Sequence, residues 1–402
     1  MKWLFLPLLF SVSVLAQDWT SVLGPAQDNS SKEKITNLDW KEKPPEILWS
    51  RELGLGYSAF SVKDKHAYCM GHVAGKEFVY KLDADTGKPA WMIQYAGGKV
   101  DRLHIGGPAA TPVLDGDRVF ILGREGQLKS LDAADGSVTW EKDLREVFGV
   151  KVPEWGFSGS PVIHGKLLLV QGGPLAAFDK TTGELKWKTE TYKHGYGTIH
   201  LFEHDGQTLA AALTNDGVLI TDLKGKERAK HLWKTSYRTN GTTPIHRGGQ
   251  IFISTGYRRG CTLLDFKGDA LAEVYENKGI SCHMANPVPS QDGKQLYGID
   301  GNSHYSQACT LRCVDWKTGE VRWKQKNVGC GTVLRAGKHL LVLEEDGELV
   351  LADASPAGYT ERGRIRLFER GKCWTSPTFI NGRVYARNDF GAAVCVDLDP
   401  AE

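Results

Sequence analysis

One phrase recurs along this chain with a fixed internal spacing: an Asp, a Gly four residues on, and a Trp eight residues on. It reads DADTGKPAW (Asp83 to Trp91), DAADGSVTW (Asp132 to Trp140), DKTTGELKW (Asp179 to Trp187) and DWKTGEVRW (Asp315 to Trp323). Weaker copies, an Asp closing a short apolar run, stand at Asp222, Asp265, Asp353 and Asp397. The separations along the eight are 49, 47, 43, 43, 50, 38 and 44 residues. A period in this range marks units that cannot bury their apolar faces alone and must stack on copies of themselves.

Each unit holds the same succession of short apolar runs and turns, plainest in GSPVIHGKLLLVQGGPLAAFDKTTGELKW, where turns at His164-Gly165, Gly172-Gly173-Pro174 and Thr182-Gly183 separate four strands. Comparable first turns lie at Asp115-Gly116, Asp205-Gly206, Gly248-Gly249, Asp292-Gly293 and Asn381-Gly382, residue types that tolerate positive φ. Four antiparallel strands per unit make a propeller blade. The expected fold is therefore all-β, an eight-bladed β-propeller over residues 45–398. The repeated Trp is expected to fill the wedge between blades with its indole N–H paired, while Asp and Gly shape the turn that aims it. The eighth unit ends at Asp397 without a fourth strand, and ILWSREL (Ile47 to Leu53) bears a Trp but has no blade before it. The N-terminal strand should complete the C-terminal blade, removing the exposed edges of an open sheet. Units four, five and seven depart from the phrase: Trp233 lies eleven after Asp222, and Tyr275 and Phe368 stand near the expected Trp.

Outside the repeat, MKWLFLPLLFSVSVLA carries a Lys, an apolar run and Val14 and Ala16 ahead of a cleavage point, the pattern of a secretory signal peptide over residues 1–16. A leader, 17–44, follows. No apolar run approaches the roughly 20 residues a membrane-spanning helix needs, and no Cys follows the N-terminal run, so the chain is expected to be periplasmic or secreted without a lipid anchor. With 50 Lys plus Arg against 48 Asp plus Glu, nothing favours a nucleic-acid partner. The eight Cys include no Cys-x-x-Cys, and buried free thiols are the expected state of most of them.

The D-x-x-T-G-x-x-x-W phrases resemble the tryptophan-docking repeats of pyrroloquinoline-quinone (PQQ)-type β-propellers, and repeat number, length and export pattern are similar to the BamB-like branch of that family. DWTSVLGPAQDNSS (Asp18 to Ser31) also resembles the short leader before many such propellers. The resemblance implies one of two roles: a non-catalytic binding or scaffold protein, expected to be a monomer with a protein or small-molecule ligand at its loop face, or a quinoprotein dehydrogenase of alcohols or sugars that uses PQQ and calcium. A sugar-binding propeller is a third reading. The chain departs from the dehydrogenases in having no Cys-Cys dipeptide, and no calcium ligand or catalytic Asp carries over.

In a propeller the loops entering the innermost strands gather at one end of the central channel. Those loops contain Tyr57, His104, Trp155, His194, Tyr196, Arg238, Asn240, Cys282, His283, Cys330, Cys373 and Trp374. The loops between second and third strands should add Arg124, Arg258, Arg259, His304, Glu345, Asp346, Arg387 and Asp389. The best candidates for holding a planar or anionic ligand are Trp155 or Trp374 as a stacking surface, Arg238, Arg258 or Arg259 as charge partners, and Asn240 and His283 as polar groups. No metal site is assigned: His283 with Cys282, Cys330 and Cys373 is too scattered for tetrahedral ligation, and disulfides joining Cys330 to Cys282 or to Cys373 are equally open. No phosphate loop, nucleophile elbow or metalloprotease helix occurs.

Overall fold

A computed structural model describes residues 18–101 and 104–400; the signal peptide inferred for residues 1–16 lies outside the described residues. Eight blades of four antiparallel strands follow one another along the chain, the seventh extended by a fifth, parallel strand from the N-terminal segment. Blade one is Ser61–Lys63, His66–Val73, Lys76–Asp83 and Pro89–Ala96, and the next blades repeat the pattern, with Val162–His164, Leu167–Gln171, Leu175–Asp179 and Leu185–Lys188 forming blade three. The two middle strands of a blade face neighbours on both sides and read as continuous apolar runs; Leu175–Asp179 is buried at every position but the last. Fourth strands lie at the rim and alternate, as Pro89–Ala96 does. Apolar clusters accordingly form between blades: Phe120, Leu122 and Leu128 of blade two meet Leu168, Val170 and Phe178 of blade three.

The ring closes as the sequence implies. Glu46–Glu52 pairs antiparallel with Ala392–Asp397 as the fourth strand of blade eight, Trp49 opposite Cys395.

The recurring phrase is one piece of geometry. The Asp carboxylate accepts backbone N–H groups of the turn, as Asp179 Oδ1 does from Thr181 and Thr182 at 2.9 and 3.1 Å. The Gly that follows is left-handed, φ +71° at Gly183. Beside the Trp, the third and fourth strands slip register by one residue, a bulge found in every blade, which bends the strand and re-aims the ring. Each indole then donates to a carbonyl in the corner of the next blade: Trp49 to Ala84, Trp91 to Ala133, Trp140 to Lys180, Trp187 to Leu223 and Trp323 to Ser355, at 2.8–3.1 Å. The ring also covers the next corner's Gly, where a Cβ at Gly183 would stand 2.7 Å from the Trp140 ring.

Two departures from the sequence reading emerge. In blade four the wedge position is Ala229, opposite Ile220, while Trp233 is fully buried elsewhere and donates to Thr255 Oγ1. In blade seven it is Gly363, opposite Leu351, not Phe368; Trp40 of the leader packs on Gly363 instead. Tyr275 does take the position in blade five, its hydroxyl reaching Trp316 O at 3.1 Å.

The leader crosses the channel at the far ends of the innermost strands. Trp19 bridges Val62 of blade one in both directions, at 2.9 and 2.7 Å. Thr20 O accepts from Leu114 N of blade two, and Gln27 Oε1 from Leu201 N of blade four. Ser30–Ser31 runs parallel to Arg335 and Ala336 of blade seven, and Asn29 Nδ2 donates to Val333 O at 2.7 Å. Trp19, 1% exposed, lies on Gly24, whose positive φ lets the leader fold over the ring.

Candidate functional site

Inside the ring the innermost strands begin with a repeated hydrogen-bonded belt. Ala59 N donates to Thr111 Oγ1, Thr111 N to Ser160 Oγ, Ser160 N to Thr198 Oγ1, Thr198 N to Thr243 Oγ1, and Thr243 N to Asn286 Oδ1, all within 2.7–3.1 Å. Each step joins one blade to the next, so the belt stitches blades one to six where side chains are too small to pack. Buried N–H groups that the ladder leaves open are thereby paired. The sequence carried a sign of this that the fold reading passed over: Thr111-Pro-Val, Ser160-Pro-Val, Thr243-Pro-Ile, Asn286-Pro-Val and Ser376-Pro-Thr. Proline lacks the N–H that an inner edge strand would leave facing the channel.

Above the belt lies a cavity of about 220 Å³, open toward the loops, with Val22 and Leu23 of the leader among its lining. The leader therefore makes it one-ended. Its walls are aromatic. His104 stacks on Trp155 with centroids 4.9 Å apart and stands edge-on to Trp374 at 5.4 Å, and Trp374 stacks on Tyr57 at 5.8 Å. On the other side Tyr257 meets His283 edge-on at 4.9 Å. Trp374 is held by a buried carboxylate: Glu345 accepts from its indole at 3.0 Å and from Cys330 N at 3.1 Å, and pairs with Lys372 at 3.2 Å.

No Asp, Glu, Lys or Arg lines this cavity among the described residues. Desolvation lowers the His104 pKa and takes that of His283 down to about 4, so both imidazoles are neutral at neutral pH. Burial likewise raises Tyr57, keeping its phenol protonated; it donates to Ile105 O at 2.8 Å.

Of the residues proposed from sequence, Trp155, His283 and Trp374 come together in the cavity, with Tyr57, His104, Tyr196 and His304. Arg238, Asn240 and Arg258 do not line it. Arg238 and Arg258 are exposed on left-handed backbone, φ +52° and +55°, and Asn240 is fully buried, its amide donating to Thr214 O and Trp233 O. Other loop residues serve the scaffold: Arg387, 0% exposed, donates to Met70 O and Gly54 O. Arg259 pairs with Glu276 over the Trp233 ring, and Asp346 pairs with Arg366. Arg124 is buried behind the lining, and Asp389 accepts from Lys372 N. All eight Cys are buried free thiols, Cys282, Cys330 and Cys373 among them.

PQQ is a flat tricarboxylate, and calcium takes six to eight oxygen ligands, carboxylates prominent among them. Among the described residues the cavity offers neither a Lys or Arg to the carboxylates nor a carboxylate to the metal, and no group of three or more His, Cys, Asp or Glu could hold a metal ion. These residues do not fit the quinone–calcium pair.

Comparison with known proteins places this architecture. A quinohemoprotein alcohol dehydrogenase, ADH IIB, of Pseudomonas putida is 27% identical over 128 residues, spanning 28% of this chain and only 17% of that relative. Among solved structures, BamB from Moraxella catarrhalis superposes with a TM-score of 0.64 at 16% identity, covering 89% of this chain and 99% of that one. The quinohemoprotein alcohol dehydrogenase from Comamonas testosteroni gives 0.67 at 13% identity, covering 96% and 81%. At such identities the two structures share the fold alone. The family model described as outer membrane protein assembly factor BamB matches residues 75–325, more than half of the 402-residue chain. By that match the chain belongs to the BamB family of PQQ-type repeat propellers.

Proposed function

We propose that this protein is an exported binding or scaffold protein, monomeric, which works through its loop face and the cavity that opens there and performs no quinone chemistry. The observation that carries this reading is the one-ended cavity, aromatic in its walls and without an Asp, Glu, Lys or Arg among its described lining residues. Such a site can hold a ligand by stacking and hydrogen bonding. Among the described residues it has no carboxylate, Lys or Arg to seat a tricarboxylate cofactor or its metal. Export is supported by the N-terminal apolar run, and no helix among the described residues is long and apolar enough to cross a membrane.

The test is reconstitution of the mature chain with PQQ and calcium, followed by absorption spectroscopy and a dye-linked assay of alcohol oxidation. The expected result is no stoichiometric quinone band and no turnover. A bound quinone with turnover would overturn the reading in favour of a quinoprotein dehydrogenase.

A further inference from the structure

The belt has a property that its structural role does not require. Ser160, Thr198 and Thr243 each accept an N–H from the preceding blade, and all three line the cavity. A hydroxyl has one proton to give and two lone pairs to receive with. For these three, no acceptor of the hydroxyl proton occurs among the described residues, whereas Thr242, one residue from Thr243, donates to Ser254 O at 2.6 Å. The cavity thus presents a row of neutral donors beneath two indoles, Trp155 backed by His104 and Trp374 backed by Tyr57.

Four classes of ligand can be weighed against that chemistry. Among the described lining residues an anion would find no Lys or Arg, and a quaternary ammonium, although suited to aromatic walls, would find no carboxylate and would face hydroxyl protons. A purely apolar ring would leave the three donors without partners. A neutral polyhydroxylated ring meets every demand: its C–H face lies on an indole, its oxygens accept from the hydroxyls, and it carries no charge to compensate.

Resting on the reading that the cavity is a binding site, we propose that it takes a neutral sugar ring, stacked on Trp155 or Trp374 with its oxygens on the hydroxyls of Ser160, Thr198 and Thr243. Ser303 and His304, between the second and third strands of blade six, add polar groups to the lining that a further unit could meet toward the loops, so the end residue of a neutral oligosaccharide is the expected ligand. Neutral His104 and His283 support this choice, since neither adds charge that would favour a uronic acid.

The experiment is calorimetric titration of the mature chain with maltotriose, cellotriose, mannotriose and chitotriose, and separately with trigalacturonate, choline and PQQ plus calcium. At least one neutral trisaccharide should bind saturably at one site, with an affinity insensitive to salt. At least one of Trp155→Ala and Trp374→Ala should weaken it about tenfold or more, the loss of a stacked ring face. Trp155→Phe, which keeps a ring in place, should retain part of the affinity while melting as the parent does. Absence of binding by every neutral trisaccharide, binding only of trigalacturonate or choline, or undiminished binding in both Trp variants overturns the sugar assignment and leaves the wider binding reading standing. PQQ binding with turnover overturns both.

Discussion

At His194 a titratable ring sits with both nitrogens closed off from solvent and neither hydrogen-bonded, edge-on to Phe157 and Tyr196 at 5.3 Å each. Desolvation lowers its pKa from 6.5 to about 3. The unfolded chain therefore binds a proton that the folded chain refuses: the neutral ring contributes its full share of stability above pH 6.5 and loses it as pH falls toward about 3. His194→Phe keeps the edge-on packing and removes the titration, so its melting temperature should gain on the parent by a few degrees more at pH 5 than at pH 7.5, read by calorimetry. An equal difference at both pH values would refute the assignment. Glycine offers a sharper contrast. Gly183 (φ +71°) lies under the Trp140 ring with no room for a Cβ, whereas Gly165 (φ +56°) has nothing within 4 Å. Gly165→Ala should cost about 1 kcal/mol for the left-handed backbone alone, and Gly183→Ala about 2–4 kcal/mol because overpacking is added. Urea unfolding measures both. The Asp, Gly and Trp of the repeat were legible in sequence because each has one geometric use, whereas His194 and Arg387 were read as loop polar groups because nothing local reveals that a loop is buried by its neighbours.

Among the elements, the strand Glu46–Glu52 matters out of proportion to its length. It covers the edge of Ala392–Asp397 and delivers Trp49, 5% exposed, to the Ala84 carbonyl. A chain beginning at Leu53 loses both and exposes a run of unpaired backbone groups, an invitation to edge-to-edge association. On size-exclusion chromatography it should run as oligomer or aggregate, while a chain beginning at Asp18 elutes as a single species; a monodisperse shortened chain with unchanged melting would show that blade eight needs no fourth strand. The four full phrases and the orphan Trp-bearing strand made blade number and closure readable, since strand, turn and aromatic recur in register. Trp40 on Gly363 was not readable, because a leader residue substitutes there for a missing blade residue. The belt was encoded, in Thr-Pro, Ser-Pro and Asn-Pro at the inner strands, but only as single short side chains some forty residues apart.

On the scale of the whole molecule, the cavity is assembled by residues from around the ring and from the leader, so its walls could be listed from the sequence but its floor could not. Trp155, His283 and Trp374 were recoverable because loops entering inner strands must converge. The neutrality of the site was not, because it depends on which loop charges turn outward, as Arg238 and Arg258 do. The same assembly explains why the leader is no appendage: by bridging blades one, two, four and seven across the channel it turns a tube into a cup.

The joint between Glu46–Glu52 and Ala392–Asp397 also has a temporal meaning. Its two halves stand at opposite ends of the repeat array, so no chain that lacks the eighth unit can latch the circle. Seven blades can stack in turn, each gaining from the one before, whereas this joint pairs strands more distant in sequence than any other strand pair among the described residues, the kind of contact whose loop-closure cost slows folding. A ring built this way stays open while its units accumulate, and locks when the eighth is in place.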